Sequence, residues 1–111
     1  MTSPPSPPAG PIFSALASDP DLRELVEMYV DEMSERITML QELLAASDWE
    51  ELRRMAHQMK GAAGSYGFEA ITPVAGAVED SIRNEADEDS IRRAVDELLA
   101  MCARVRAGVP E

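Results

Sequence analysis

Residues 49–68 read WEELRRMAHQMKGAAGSYGF, and the fold follows from how this stretch winds. At about 100° per residue, with Leu52 at zero, Met55, Ala56, Met59 and Ala63 lie within roughly 60° of it, one apolar face of an amphipathic helix. On the same wheel Lys60 falls near about 80°, Gly64 near about 120°, His57 near about 140° and Gly61 near about 180°. The single histidine of the chain therefore belongs to the far, solvent-facing side. Ser47 with Glu50, or Asp48 with Glu51, gives capping-box spacing at the start of the helix, and Gly64-Ser65-Tyr66-Gly67 ends it.

The same period recurs on both sides. Upstream, Ser18-Asp19-Pro20-Asp21 announces a helix by a capping side chain, a first-turn proline and acids at the positive end of the dipole. Leu22, Val26, Tyr29, Met33, Ile37, Leu40 and Leu44 then form one continuous stripe. Downstream, Phe68, Ile71, Val74, Val78 and Ile82 mark a third segment. Pro73 cannot donate an interior hydrogen bond, so the main helix is expected to be capped by Thr72 and to run to about Asn84. Ala75 and Gly76 permit close helix packing there. Acidic residues 85–89 open a fourth helix bearing Ile91, Val95, Leu98, Leu99, Cys102 and Val105, with its end at Gly108 before Pro110.

No strand-like alternation and no internal repeat is visible. The expected fold is all-α, an antiparallel up-down-up-down four-helix bundle over residues 12–108 with a short N-terminal extension. Residues 1–11 hold five of the eight prolines and read as a flexible tail or linker, and 109–111 as a C-terminal tail. Ile12, Phe13 and Leu16 form a short apolar cluster suited to folding back onto the bundle.

Composition narrows the function. A chain of 111 residues, 45% apolar, fits one small domain. Its apolar runs are far shorter than a bilayer needs, and its N-terminus lacks the basic start and apolar run of a secretory signal, so a cytoplasmic protein without membrane insertion is expected. A net charge of −11 argues against nucleic acid as a partner. Cys102 reads as a small core hydrophobe, and the seven methionines as flexible core filler. The sequence has no nucleotide-binding glycine loop, no second histidine to build a metal site and no serine-centred nucleophile motif. Neither an enzyme active site, a cofactor nor a metal is expected.

The His57 face does suggest chemistry. An interior glycine costs about 1 kcal/mol relative to alanine, so Gly61 and Gly64 beside a histidine call for a reason. Bare backbone there leaves room for a partner to bring a phosphorylated side chain against the imidazole. Lys60 would meet the phosphoryl oxygens. Neutral imidazole is a competent phosphoryl acceptor near pH 7.

Residues Ala56 to Phe68 closely resemble the signature of histidine phosphotransfer (HPt) domains, A-H-x-φ-K-G-x-x-G-x-x-G-φ with φ apolar, at every position of that core pattern. The resemblance implies a phosphoryl carrier that exchanges with the aspartate of a response-regulator receiver domain, free or within a hybrid histidine kinase, usually through Nε2. The receiver would supply the metal ion. Carried over by position, His57 is the acceptor, Lys60 the phosphoryl-oxygen contact and Gly61 the clearance. Gly64 and Gly67 shape the helix end.

In relatives resembling chemotaxis kinases, a glutamate on the next helix hydrogen-bonds the inner imidazole nitrogen, which nominates Glu79 as the orienting residue. Ile12, Phe13, Leu16, Arg53 and Gln58 are candidate receiver contacts. A monomer is expected, since the reactive face must stay open. Two alternatives remain, the ATP-phosphorylated substrate domain of a chemotaxis-type kinase and a non-catalytic helical adaptor.

Overall fold

The computed structural model describes residues 10–108. The expectations for residues 1–9 of the proline-rich tail and for the tail 109–111 lie outside the described residues. The elements in chain order are β1 (Ile12–Phe13), α1 (Arg23–Asp31), α2 (Met33–Ala45), α3 (Trp49–Ser65), α4 (Ile71–Arg83), α5 (Glu88–Ala103) and β2 (Val105–Arg106). The fold is an all-α bundle of four helical arms, α1 and α2 together making the first. α2 packs on α3 and α5, and α4 on the same two, so the arms close a ring around one core.

Each arm buries the stripe its period dictates. Val26, Tyr29, Met33 and Leu40 meet Leu52, Ala56, Met59 and Ala63, with Ile71, Ala75 and Val78 from α4 and Ile91, Val95, Leu98 and Cys102 from α5. The small buried side chains Ala56, Ala63 and Ala75 let α3 and α4 approach closely. Burial raises the Cys102 thiol to about 11, as fits a packed, un-ionised side chain.

The expected continuous first helix is instead interrupted at Glu32, and Arg36 takes up the backbone carbonyl that the break leaves free. In an unbroken helix the Tyr29 carbonyl would take the Met33 N–H. Here it accepts from Arg36 Nη1 at 3.2 Å, while the guanidinium lies 4.6 Å above the Tyr29 ring.

Helix starts also differ from expectation. Asp19 organises a turn, accepting from the Asp21 N–H, and α1 begins only at Arg23. α4 starts at Ile71 with no side-chain cap, so Thr72 is not its cap; Thr72 Oγ1 donates to the Lys60 carbonyl at 3.4 Å. Pro73 then sits in the first turn, where its missing N–H has no intrahelical acceptor to lose. Asp48, of the two candidates, caps α3 by accepting from the Glu51 N–H.

The last helix ends at Ala103 rather than Gly108, because the chain beyond it turns into β2, which pairs in parallel with β1. This two-residue ladder was not foreseen, being too short to show alternation. It starts a strap over residues 10–17. Arg104 Nε donates to the Gly10 carbonyl at 2.8 Å, and the Ile12 N–H to the Arg104 carbonyl at 2.7 Å. Further along, Ser14 Oγ donates to the Tyr66 carbonyl at 2.6 Å, and the Ala15 N–H to the Gly67 carbonyl at 2.9 Å. Ser14 and Ala17 are buried by this closure.

Tyr29 stacks on Tyr66 and Phe68 at centroid distances of 4.4 and 5.5 Å, tying the first arm to the turn after α3. Its hydroxyl is buried without a hydrogen-bond partner among the described residues. A buried unsatisfied hydroxyl is costly, so Tyr29→Phe is expected to stabilise the fold by about 1 kcal/mol, read as a higher urea midpoint at unchanged slope.

Candidate functional site

The site is built where α3 and α4 run past each other in opposite directions. Thr72 reaches the Lys60 carbonyl, Gly76 faces the Lys60 stem and Glu79 reaches His57, so rising numbers on α4 meet falling numbers on α3. This register brings together His57, Lys60 and Glu79.

Glu79 occupies a core-facing position of α4, four residues after the buried Ala75, and only 1% of its side chain is exposed. Its two oxygens are divided between two partners. Oε2 lies 2.7 Å from His57 Nδ1, and Oε1 accepts from Lys60 Nζ at 2.6 Å. The Lys60 hydrogen bond holds the Glu79 carboxyl below its ordinary value of 4.5, overcoming the opposing effect of burial, and His57 adds to it.

An ionised carboxylate can only accept, so Nδ1 of His57 must carry the proton in this bond. In the neutral imidazole Nε2 is then bare, and the ring is 62% exposed. The result is a nucleophilic nitrogen of fixed tautomer on an open surface.

The glycines around it act differently from one another. A Cβ on Gly61 or Gly64 would meet nothing within 4 Å, so both leave open space on the His57 side of α3. Gly67 has φ +82°, and a Cβ there would come 2.9 Å from the Ala15 nitrogen and into the Ser14 hydroxyl. Its place is under the strap, away from the imidazole. Gly76 is the position sequence reasoning left as mere packing. A Cβ on it would lie 3.3 Å from Lys60 Cδ, so the bare backbone of α4 makes way for the lysine stem on its path to Glu79.

The remaining candidates are dispersed. Arg53, half-buried, lies one helical turn before His57. Gln58 is exposed and lines a groove of about 260 Å³ between α2 and α3 with Met39 and Met55. Ile12, Phe13 and Leu16 are half-buried in the strap at the far end of α3, some 13 Å along the axis from His57 by helical rise. Among the described residues no cluster of three His, Cys, Asp or Glu side chains is placed to hold a metal ion, and no helix is long and apolar enough to cross a membrane.

The family model for the Hpt domain matches residues 24–108, which include the four arms but for Arg23, and the His57 site. The chain is a member of the Hpt domain family. Its function therefore lies in phosphotransfer within two-component signalling, and Hpt domains are phosphocarrier modules, not kinases, that work with receiver domains. No curated protein and no solved structure matches the chain. The strap of this Hpt domain precedes the matched span.

Two measurements check the site. Gly67→Ala is expected to cost about 2 kcal/mol or more, from the positive φ and the collision with the strap, whereas Gly61→Ala gains up to about 1 kcal/mol of helix propensity; paired urea titrations read both. Glu79 is held below 4.5, so its contribution to stability is full above that value and is lost as pH falls through its folded-state value. Urea midpoints taken from about pH 6 down to about pH 3 should fall less steeply in Glu79→Gln than in the unaltered protein.

Proposed function

We propose that His57 is the phosphoryl acceptor of this Hpt domain and that it exchanges the group with the aspartate of a receiver domain. One observation carries this reading: the buried carboxylate on Nδ1, which leaves Nε2 bare and outward-facing on the matched domain's second arm.

In the forward step the Nε2 lone pair attacks phosphorus in the receiver's aspartyl phosphate. The P–O bond to the carboxylate breaks, the carboxylate leaves with its electron pair, and the Nε2–P bond forms. The ring, still carrying its Nδ1 proton, becomes cationic. The Glu79 carboxylate already sits 2.7 Å away to balance that charge, so no groups need reorganise as it develops. Return of the group to an aspartate reverses these steps, and the phosphorus–nitrogen bond is labile enough to permit it. The divalent ion that assists the transfer belongs to the receiver.

Gly61 and Gly64 provide the clearance through which the aspartyl phosphate arrives. Lys60 acts through Glu79, keeping it charged. The protein is proposed to work as a cytoplasmic monomer. A second reading, phosphorylation of His57 by an ATP-using kinase domain, draws on the Glu79–His57 bond, the arrangement of the chemotaxis-type relatives.

Incubation with a phosphorylated receiver is expected to give acid-labile, base-stable label on the protein and none in His57→Gln; label persisting in that variant would refute the assignment. A tryptophan at Gly61 is expected to slow transfer at least about tenfold with the circular dichroism unchanged. Glu79→Gln is expected to slow it about tenfold or more and to change the imidazole tautomer seen in ¹⁵N spectra. Label acquired from kinase and ATP, but not from any receiver, would favour the second reading.

A further inference from the structure

Once phosphorylated, His57 carries a group of about two negative charges on a protein whose net charge is already −11. The cation closest in sequence pattern, Lys60, is engaged elsewhere. Its ammonium is 2.6 Å from Glu79 Oε1, and its stem is threaded past Gly76 toward α4. Withdrawing it would leave a carboxylate that is 1% exposed with only the imidazole proton to answer its charge.

Two other cations precede His57 on α3, and they differ. Arg54 sits about 60° round the helix from His57 on the side toward α2, and is paired with Glu51 at 2.9 Å. Arg53 sits about 40° from His57, on the stripe that also holds Gly64 and Lys60, one turn on the N-terminal side. Among the described residues it has no carboxylate within 4.0 Å. Helical side chains tilt toward the N-terminus, the direction in which this turn lies from His57.

We propose that Arg53 is the residue that meets the phosphoryl oxygens of phosphorylated His57, while Lys60 stays on Glu79. The guanidinium offers paired donors that match two phosphoryl oxygens, and it lies on the side of the imidazole opposite the lysine. Arg53 is thereby a phosphoryl-contact residue, where its sequence position alone suggested a docking cation. The inference rests on His57 being the acceptor.

The test uses phosphoramidate as the donor, so that no receiver has to be known. Nε2 attacks phosphorus, the P–N bond of the donor breaks and ammonia leaves. The charged groups facing the new phosphoryl group are Arg53 and Lys60 from α3 and Glu79 from α4, with Arg54 at the margin of α3 and Arg83, one turn beyond Glu79, at the margin of α4. ³¹P resonances of the phosphorylated protein, followed across neutral and mildly acidic pH at low salt, report the last ionisation of the group.

Arg53→Gln is expected to move that midpoint up by about half a pH unit, a threefold weaker acid, with Arg53→Lys restoring most of it and Arg54→Gln or Arg83→Gln leaving it in place; a shift in Arg83→Gln equal to that in Arg53→Gln would overturn the assignment. The difference should shrink in about 1 M salt. An Arg53→Gln midpoint equal to that of the unaltered protein would overturn the proposal while leaving the phosphocarrier intact. Failure of His57 to take up phosphate at all would overturn both.

Discussion

A single carboxylate, buried between two helices and shared by a lysine and a histidine, sets the terms for the rest of the molecule. Charge in a protein interior is tolerated only when its hydrogen-bonding capacity is met, and Glu79 satisfies this with one partner on each oxygen. Both partners come from the neighbouring helix. The α3–α4 pair must therefore hold its spacing and register to within hydrogen-bond tolerance, and the alanines at 56, 63 and 75 provide the closeness that makes this feasible. Rigidity needed for packing and rigidity needed for chemistry are the same property here. A pair of arms that slid by one residue would lose the core fit and the imidazole bond together.

The glycines illustrate how one residue type serves three ends within a short span. At Gly61 and Gly64 what matters is the space outside the molecule, at Gly76 the passage of another side chain, and at Gly67 the approach of another segment of backbone together with a positive φ. The last two serve the domain's own packing, Gly76 through the Lys60–Glu79 pair and Gly67 through the strap. Gly61 and Gly64 meet nothing inside the molecule, and what they leave is open surface beside the imidazole.

Much of this was legible in residues 49–68. The wheel separated the core face from the His57 face because four buried positions repeat at intervals of three and four, a signal that tertiary packing reinforces. Glu79 was reachable only by likeness to relatives, since beside Asp80 it reads as an exposed acid; the available signal was an acidic residue on the stripe that carries Ala75 and Val78. The Lys60–Glu79 pair, the Arg36 back-bond at the break in the first arm, and the strap depend on residues far apart in sequence or on the reach of long side chains. Periodicity carries no information about either. The helix ends shifted for a related reason, because Thr72 and residues 105–106 found tertiary partners that outweighed their local signals.

The β1–β2 pairing has a further consequence for how such a module is wired into larger proteins. Ile12 stands beside Val105 in a parallel pair, so the first and last segments of the bundle run the same way about one strand spacing apart, roughly 5 Å. The strap that begins there crosses to the turn after α3, well beyond His57 along that helix. A unit whose first and last segments are clasped to each other, clear of the His57 face, closes on itself. Chain attached before or after it pulls on this clasp first, and not on the helix that carries the imidazole.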